Sequence, residues 1–287
     1  MGINYQQLKS WPFKEIEHSY TARDTMLYAL GLGYGADPMD QDQLRYVYEE
    51  GLQALPTMAV VLAGPGFWVK DPASGVDWKK VLHGEQGLVV HKPLPASGTV
   101  IGSTKIVEII DKGAGKGALA YSRREIRDKA TGDLLCTVNG CSFWRGNGGF
   151  GGPTGPTPQP HAVPDRAPDL ACDLPTLPQA ALIYRLSGDY NPLHADPAVA
   201  KTAGFPRPIL HGLCTYGVAG HALLKTLCAY DPSKLRRMDV RFSAPVFPGE
   251  TIRTEIWRDG PTQASFRCRV VERDTVVLNN GLAEFAA

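Results

Sequence analysis

Ser187-Gly188-Asp189-Tyr190-Asn191-Pro192-Leu193-His194 places an acid, an amide and an imidazole within eight residues. The spacing Asp-x-Asn-x-x-His, with Gly188 ahead of it and Pro192 inside it, excludes a regular helix or strand and predicts a shaped loop. Loops held by a rigid scaffold are where chemistry concentrates. Seventeen residues beyond His194 stands His211-Gly212-Leu213, the start of an apolar stretch over 212–229 that contains no proline. Leu213, Val218, Leu223, Leu224 and Leu227 make it too long for a strand and predict a buried helix. The first N–H groups of a helix lack internal partners and sit at its positive end. Acid, base and an anion-stabilising dipole are therefore close in sequence.

Downstream of that helix, apolar residues fall at every second position in Met238, Val240 and Phe242 and again in Phe266, Cys268 and Val270. This alternation predicts half-buried antiparallel strands. Upstream, residues 146–160 read Gly-Asn-Gly-Gly-Phe-Gly-Gly-Pro-Thr-Gly-Pro-Thr-Pro-Gln-Pro, which holds neither a helix nor a central strand. The segment divides the chain into 1–145 and 161–287. The halves resemble each other: Pro93–Val100 and Pro245–Ile252 are both proline-glycine turns opening a strand. Ile106–Ile110 and Ala118–Arg127 then match Arg253–Trp257 and Ser265–Val271. In the first half Leu55–Ala63 takes the place of the long helix, is shorter, and stops at Gly64-Pro65-Gly66. The expected architecture is α+β, a long helix wrapped by an antiparallel sheet, twice over.

At 287 residues the chain is long enough for two domains of about 150 residues. Thirty basic and 29 acidic residues give a net charge of +1, which lacks the basic footprint of nucleic-acid binding. The six cysteines show neither a C-x-x-C pair nor zinc-like spacing and read as reduced core residues. No metal and no organic cofactor is expected, because no other His, Cys and carboxylate cluster has ligand spacing. The apolar run Met58–Val69 is too short for a bilayer and is broken by Gly64-Pro65-Gly66, so no membrane association is expected. A cytoplasmic location follows, or a peroxisomal one in a eukaryote, although Phe285-Ala286-Ala287 is not a peroxisomal tripeptide.

The stretch Tyr184–His194 resembles, without a gap, the signature of the hydratase 2, or MaoC-like, enoyl-CoA hydratases. The resemblance extends to Ala203-Gly204-Phe205, Ile209–Leu213, Arg241–Pro245 and, in the first half, Val81–Gln86. It implies a double hot-dog fold with a catalytic second half and a degenerate first half that makes room for the acyl chain. Nothing resembling Gly-Asp-x-Asn-Pro-x-His occurs before Gly146. The implied activity is addition of water to a trans-2-enoyl-CoA, giving the (3R)-3-hydroxyacyl-CoA. Asp189 and His194 would grip the water, Asn191 would fix their geometry, and the Gly212 amide would stabilise the thioester oxyanion. Substrate contacts carried by the resemblance are His83, Gly84, Lys112, Tyr190 and Phe242, with Lys112 suited to a CoA phosphate. The expected partners are an acyl-CoA and a second copy of the chain as a homodimer. Alternatives are a dehydratase of 3-hydroxyacyl groups on acyl carrier protein, a hydratase of branched or steroid-derived acyl-CoA, and a non-catalytic thioester-binding module.

Other residues read as structural. Asp196 before Pro197 has the position of a helix cap, with Gly204 as the stop. Asp24 is expected to cap the helix that begins near Met26. His211 is expected to hydrogen-bond backbone near the helix start, and His221 to pack inside the helix. Gly31–Gly35 reads as a turn, since no Gly-Lys-Ser/Thr follows it. Lys112–Gly117 reads as a hairpin connection.

Overall fold

Ten strands form one continuous antiparallel sheet in the computed structural model, which describes residues 2–287. They are β1 (Ile16–Tyr20), β2 (Val81–Val90), β3 (Gly98–Asp111), β4 (Ala118–Asp128), β5 (Leu134–Trp144), β6 (Leu170–Pro175), β7 (Leu235–Phe242), β8 (Thr251–Arg258), β9 (Gln263–Val270) and β10 (Thr275–Phe285). Their order across the sheet is β1-β3-β4-β5-β2-β7-β10-β9-β8-β6. From the centre outward each half repeats one construction, β2-β5-β4-β3-β1 on one side and β7-β10-β9-β8-β6 on the other. The matched segments fall on equivalent strands, β3 with β8 and β4 with β9. The halves join where β2 pairs with β7, from Glu85 opposite Arg241 to Val89 opposite Arg237.

The predicted alternation is present: Met238 and Val240 are buried, as are Phe266, Cys268 and Val270. The long helix spans Gly212–Leu227, and Cys214–Leu224 are buried along it. Leu223 and Leu224 are fully enclosed, each worth about 1.5–3 kcal/mol relative to an exposed position. The Tyr216 hydroxyl donates to the Met238 carbonyl at 2.8 Å, tying the helix to β7. His221 is packed as expected, stacked 3.6 Å from the Tyr34 ring and 3.0 Å from the Tyr230 hydroxyl. All six cysteines are free and buried.

The first half departs from the expected long helix. In its place is a six-residue 3-10 helix, Pro56–Val61, packed against the long helix of the second half. Pro56 opens it, and Pro65 biases Gly64 away from helical backbone angles, so the segment cannot lengthen. Met58, Val61 and Leu62 also line a pocket of about 220 Å³ together with His18, Asp24, Leu27 and Gly188.

Asp196 caps the helix Pro197–Thr202, accepting from the Ala198 N–H at 2.8 Å, and Gly204 follows with φ +88°. Asp24 is not itself the cap. Thr21 is, and Asp24 bonds back to the Thr21 N–H at 2.8 Å, closing a capping box. The Gly31–Gly35 segment is the turn after the helix Ala22–Gly31, and Lys112–Gly117 connects β3 to β4.

Candidate active site

The loop that carries Asp189 is built by two successive side-chain turns. The short helix Ala180–Tyr184 tightens into a 3-10 turn over Arg185–Ser187, and Gly188 reverses the chain with φ +118°, a region open to glycine. The Asp189 carboxylate accepts from the Asn191 N–H at 3.1 Å, and the Asn191 side-chain oxygen accepts from the Leu193 N–H at 3.1 Å. Asn191 thereby caps the 3-10 turn Pro192–His194, whose first position holds proline. Its contribution is to set the turn that delivers His194.

His194 is buried, whereas Asp189 is exposed. The His194 Nδ1 lies 2.9 Å from the Ile209 carbonyl oxygen. A carbonyl only accepts, so Nδ1 carries the proton and Nε2 of the neutral ring keeps a free lone pair. Burial holds the His194 pKa below the ordinary histidine value; the bond to Ile209 and the Asp189 charge oppose it.

His211 does hydrogen-bond backbone, but the backbone of the Asp189 loop. Its Nε2 lies 3.1 Å from the Asp189 carbonyl oxygen, so the same reasoning puts the proton there. The His194 and His211 rings stack with centroids 3.8 Å apart and planes 29° from parallel. Burial first, then the neighbouring His194, pushes the His211 pKa down. Ligand-capable atoms of Asp189, His194 and His211 all lie within 4.8 Å of one another. A carboxylate with two imidazoles is also a composition that metals accept.

His211 occupies the cap position of the long helix and makes no side-chain capping bond. The Cys214 and Thr215 N–H groups both bond to the His211 carbonyl, at 3.0 and 3.1 Å. Among the described residues the Gly212 N–H has no partner, leaving a donor at the positive end of the helix. A Cβ on Gly212 would lie 3.1 Å from the Phe242 ring, so a larger residue there requires that ring to shift. The Phe242 ring is 4.6 Å from that of His83. His83 stands beside a bulge at Gly84, where the pairing of β2 with β5 shifts by one residue.

The fold thus gathers Asp189, His194 and His211 at one point, with Gly212, Phe242 and His83 in contact along one wall. Tyr190 is exposed, and the Arg185 guanidinium covers its ring at 5.0 Å. Lys112 lies apart, exposed in the β3–β4 hairpin. The larger cavity, about 580 Å³, holds none of these residues; it spans the seam between the halves beside Glu85, Asp239 and Arg241, and Pro156, Pro158 and His161 also line it.

Comparison with known proteins decides the family. Residues 18–146 match the model of the MFE-2 hydratase 2 N-terminal domain, and residues 160–280 match that of the MaoC like domain. The chain belongs to the MaoC-like hydratase 2 family. It is 44% identical over 277 residues to 3-hydroxyacyl-thioester dehydratase Y of Mycobacterium tuberculosis, covering 93% of each chain. It is 38% identical to the peroxisomal enoyl-CoA hydratase 2 of Arabidopsis thaliana, over 96% of this chain and 94% of that one. A MaoC-like dehydratase from Phytophthora capsici superposes with a TM-score of 0.87 at 36% identity, over 99% of both chains.

Within this hydratase 2 chain, the residue that reading the sequence undervalued is His211. It sits directly before Gly212, where it reads as an ordinary helix-start histidine. Nothing local announces a bond to a carbonyl 22 residues earlier.

Proposed function

We propose that the chain is an (R)-specific enoyl-CoA hydratase, a hydro-lyase that adds water to a trans-2-enoyl-CoA. The observation that carries this reading is the cluster of Asp189 and His194 beside the free Gly212 N–H.

With Nδ1 protonated, His194 offers only an acceptor at Nε2, and the Asp189 carboxylate offers only acceptors. Two acceptors engage the two hydrogens of one water and leave its lone pairs directed at the β-carbon. As the new C3–O bond forms, one water O–H bond breaks and its proton passes to an acceptor. The electron pair of the C2–C3 double bond moves onto the thioester as an enolate, whose oxygen takes a hydrogen bond from Gly212. The held proton then returns to C2, so the product gains one water. Delivery of hydroxyl and proton by one water puts both on the same face. An acid–base group of this kind is worth about two to four decades of rate, and an oxyanion donor about two to three.

The acyl chain is assigned to the 220 Å³ pocket beside Gly188, walled by Leu27, Met58, Val61 and Leu62. Residues 1–145 thus accommodate substrate, 146–160 link, and 161–287 carry the chemistry. His83 and Phe242 line the approach of the thioester, and Gly84 allows the bulge that places His83. The family includes proteins named as dehydratases, and the same groups run the reaction in reverse. A homodimer is proposed, to be checked by light scattering. Among the described residues no helix is long and apolar enough to cross a membrane.

Asp189→Asn tests the reading. Turnover of trans-2-decenoyl-CoA falls by two to four decades while CoA-thioester binding persists. Retained turnover removes Asp189 from the mechanism.

A further inference from the structure

We propose that the 220 Å³ pocket is built for an oxygenated acyl chain, one that carries a hydroxyl group away from its thioester end, with His18, Asp24 and Ser187 as the groups that recognise it. The inference rests on the thioester reading above and names the substrate class for the same site. Leu27, Met58, Val61 and Leu62 wall the pocket, and a plain hydrocarbon chain needs only such walls. His18, Asp24 and Ser187 line it as well. Ser187 and Gly188 run directly into Asp189, so the pocket adjoins the Asp189 loop.

Each of the three polar side chains keeps one function in reserve. Alternation along β1 turns Ile16, His18 and Tyr20 inward and Glu17 and Ser19 outward. The His18 Nδ1 accepts from the Ala63 N–H at 3.0 Å, so the proton of the neutral ring sits on Nε2, a donor left over for a ligand. Burial, ahead of the neighbouring Asp24 and Arg124 charges, holds the His18 pKa below the ordinary histidine value. Asp24 spends Oδ2 on the Thr21 N–H and hydroxyl at 2.8 and 2.7 Å, while Oδ1 has only the largely exposed Arg23 guanidinium at 3.8 Å. The Ser187 Oγ is buried and has no hydrogen-bond partner among the described residues.

A donor at His18 beside an acceptor at Asp24 matches a hydroxyl group, which accepts from the first and donates to the second. A ketone only accepts and leaves Asp24 unpaired. A carboxylate meets the Asp24 charge, and the nearby Arg124 guanidinium offers it nothing, being bonded to the Ala59 and Val60 carbonyls and absent from the pocket lining. A plain chain leaves the His18, Asp24 and Ser187 functions without a partner, the situation in which a polar site discriminates against the analogue that lacks the hydroxyl. In a wholly apolar pocket the preference runs the other way, because a buried hydroxyl without a partner costs binding.

The test is calorimetric titration of the full chain with decanoyl-CoA, with hydroxydecanoyl-CoA bearing its hydroxyl at the sixth, eighth or tenth carbon, and with decanedioyl-CoA. At least one hydroxylated chain is expected to bind about twofold to tenfold tighter than decanoyl-CoA, the range of one neutral hydrogen bond, and tighter than decanedioyl-CoA. His18→Phe and, separately, Ser187→Ala are expected to bring the ratio of hydroxylated to plain affinity to about one or below. The wild-type comparison needs no variant, and Ser187→Ala keeps the assignment of residues open to test should His18→Phe fail to fold. The proposal is overturned if the wild type binds no hydroxylated chain more tightly than decanoyl-CoA, if decanedioyl-CoA binds tightest, or if the ratio is unchanged in the folded variants. These saturated thioesters have no double bond to hydrate, so binding is read without turnover. Failure of the hydratase reading shows separately, as absent turnover of trans-2-decenoyl-CoA.

Discussion

The His194 and His211 imidazoles stack 3.8 Å apart while bonding in opposite directions, His194 to the Ile209 carbonyl and His211 to the Asp189 carbonyl. The pair holds the His194 ring from one side and the Asp189 loop from the other. His211→Phe keeps a ring to stack but drops the bond to Asp189, whereas His211→Gln keeps a donor and drops the stack. Losing one such bond is worth about 0.5–1.5 kcal/mol, or roughly twofold to tenfold in rate. Both variants are expected to lower kcat within or beyond that range with little change in KM. Steady-state kinetics showing a change only in KM would remove His211 from the positioning of the loop.

The proposed mechanism requires neutral His194, whose pKa burial holds below its ordinary value. The acid limb of kcat/KM is therefore expected below the usual histidine pKa of about 6.5. A pH–rate profile with its limb above that value contradicts the assignment of His194 Nε2 as an acceptor.

Stability follows the same sign. Burial lowers the His221 pKa to about 4, so between roughly 6.5 and 4 the unfolded chain binds a proton that the folded chain does not. The stability associated with neutral His221 is complete above the unfolded pKa and is lost as pH falls through that window. His194 and His211, both shifted downward, add to it. Thermal unfolding at pH 7 and pH 5 is expected to show a lower midpoint at pH 5. An unchanged midpoint would mean that these rings are protonated in the folded state.

A methyl group at position 212 tests the approach of the thioester to the Gly212 N–H. Gly212→Ala favours the helix by propensity but puts a Cβ 3.1 Å from Phe242, where the thioester must pass. The Gly212 N–H survives this substitution, so the expected result is a loss of kcat/KM from crowding of the thioester against the displaced Phe242 ring. Full activity in this variant would show that the thioester does not pass between Gly212 and Phe242.

Asp189, His194 and His211 could also hold a cation, and the mechanism above assigns the water to the protein groups alone. Prolonged dialysis against a chelator is expected to leave turnover intact. Loss of activity restored by a divalent metal would replace the two-acceptor arrangement with a metal-bound water.

Much of the fold was legible because its signals are periodic. Met238, Val240, Phe266 and Cys268 alternate because one face of their strands packs inward, and the residues from Gly212 onward are apolar because that helix is enclosed. The loop was legible because Gly188, Asp189, Asn191 and Pro192 each carry their turn chemistry locally. The first half was less so: apolar character over Leu55–Ala63 signals burial without length, and a 3-10 helix of six residues buries as well as a longer one would. His211 was misjudged for a related reason. Its decisive partners, Asp189 and the His194 ring, are set by tertiary packing.

The most direct measurement is the decay of conjugated-thioester absorbance with trans-2-decenoyl-CoA, the product then offered to dehydrogenases specific for each 3-hydroxy enantiomer. The account predicts rapid decay and oxidation by the (3R)-specific enzyme alone. Decay yielding the (3S) product, or no decay with either decenoyl- or crotonyl-CoA, would contradict it.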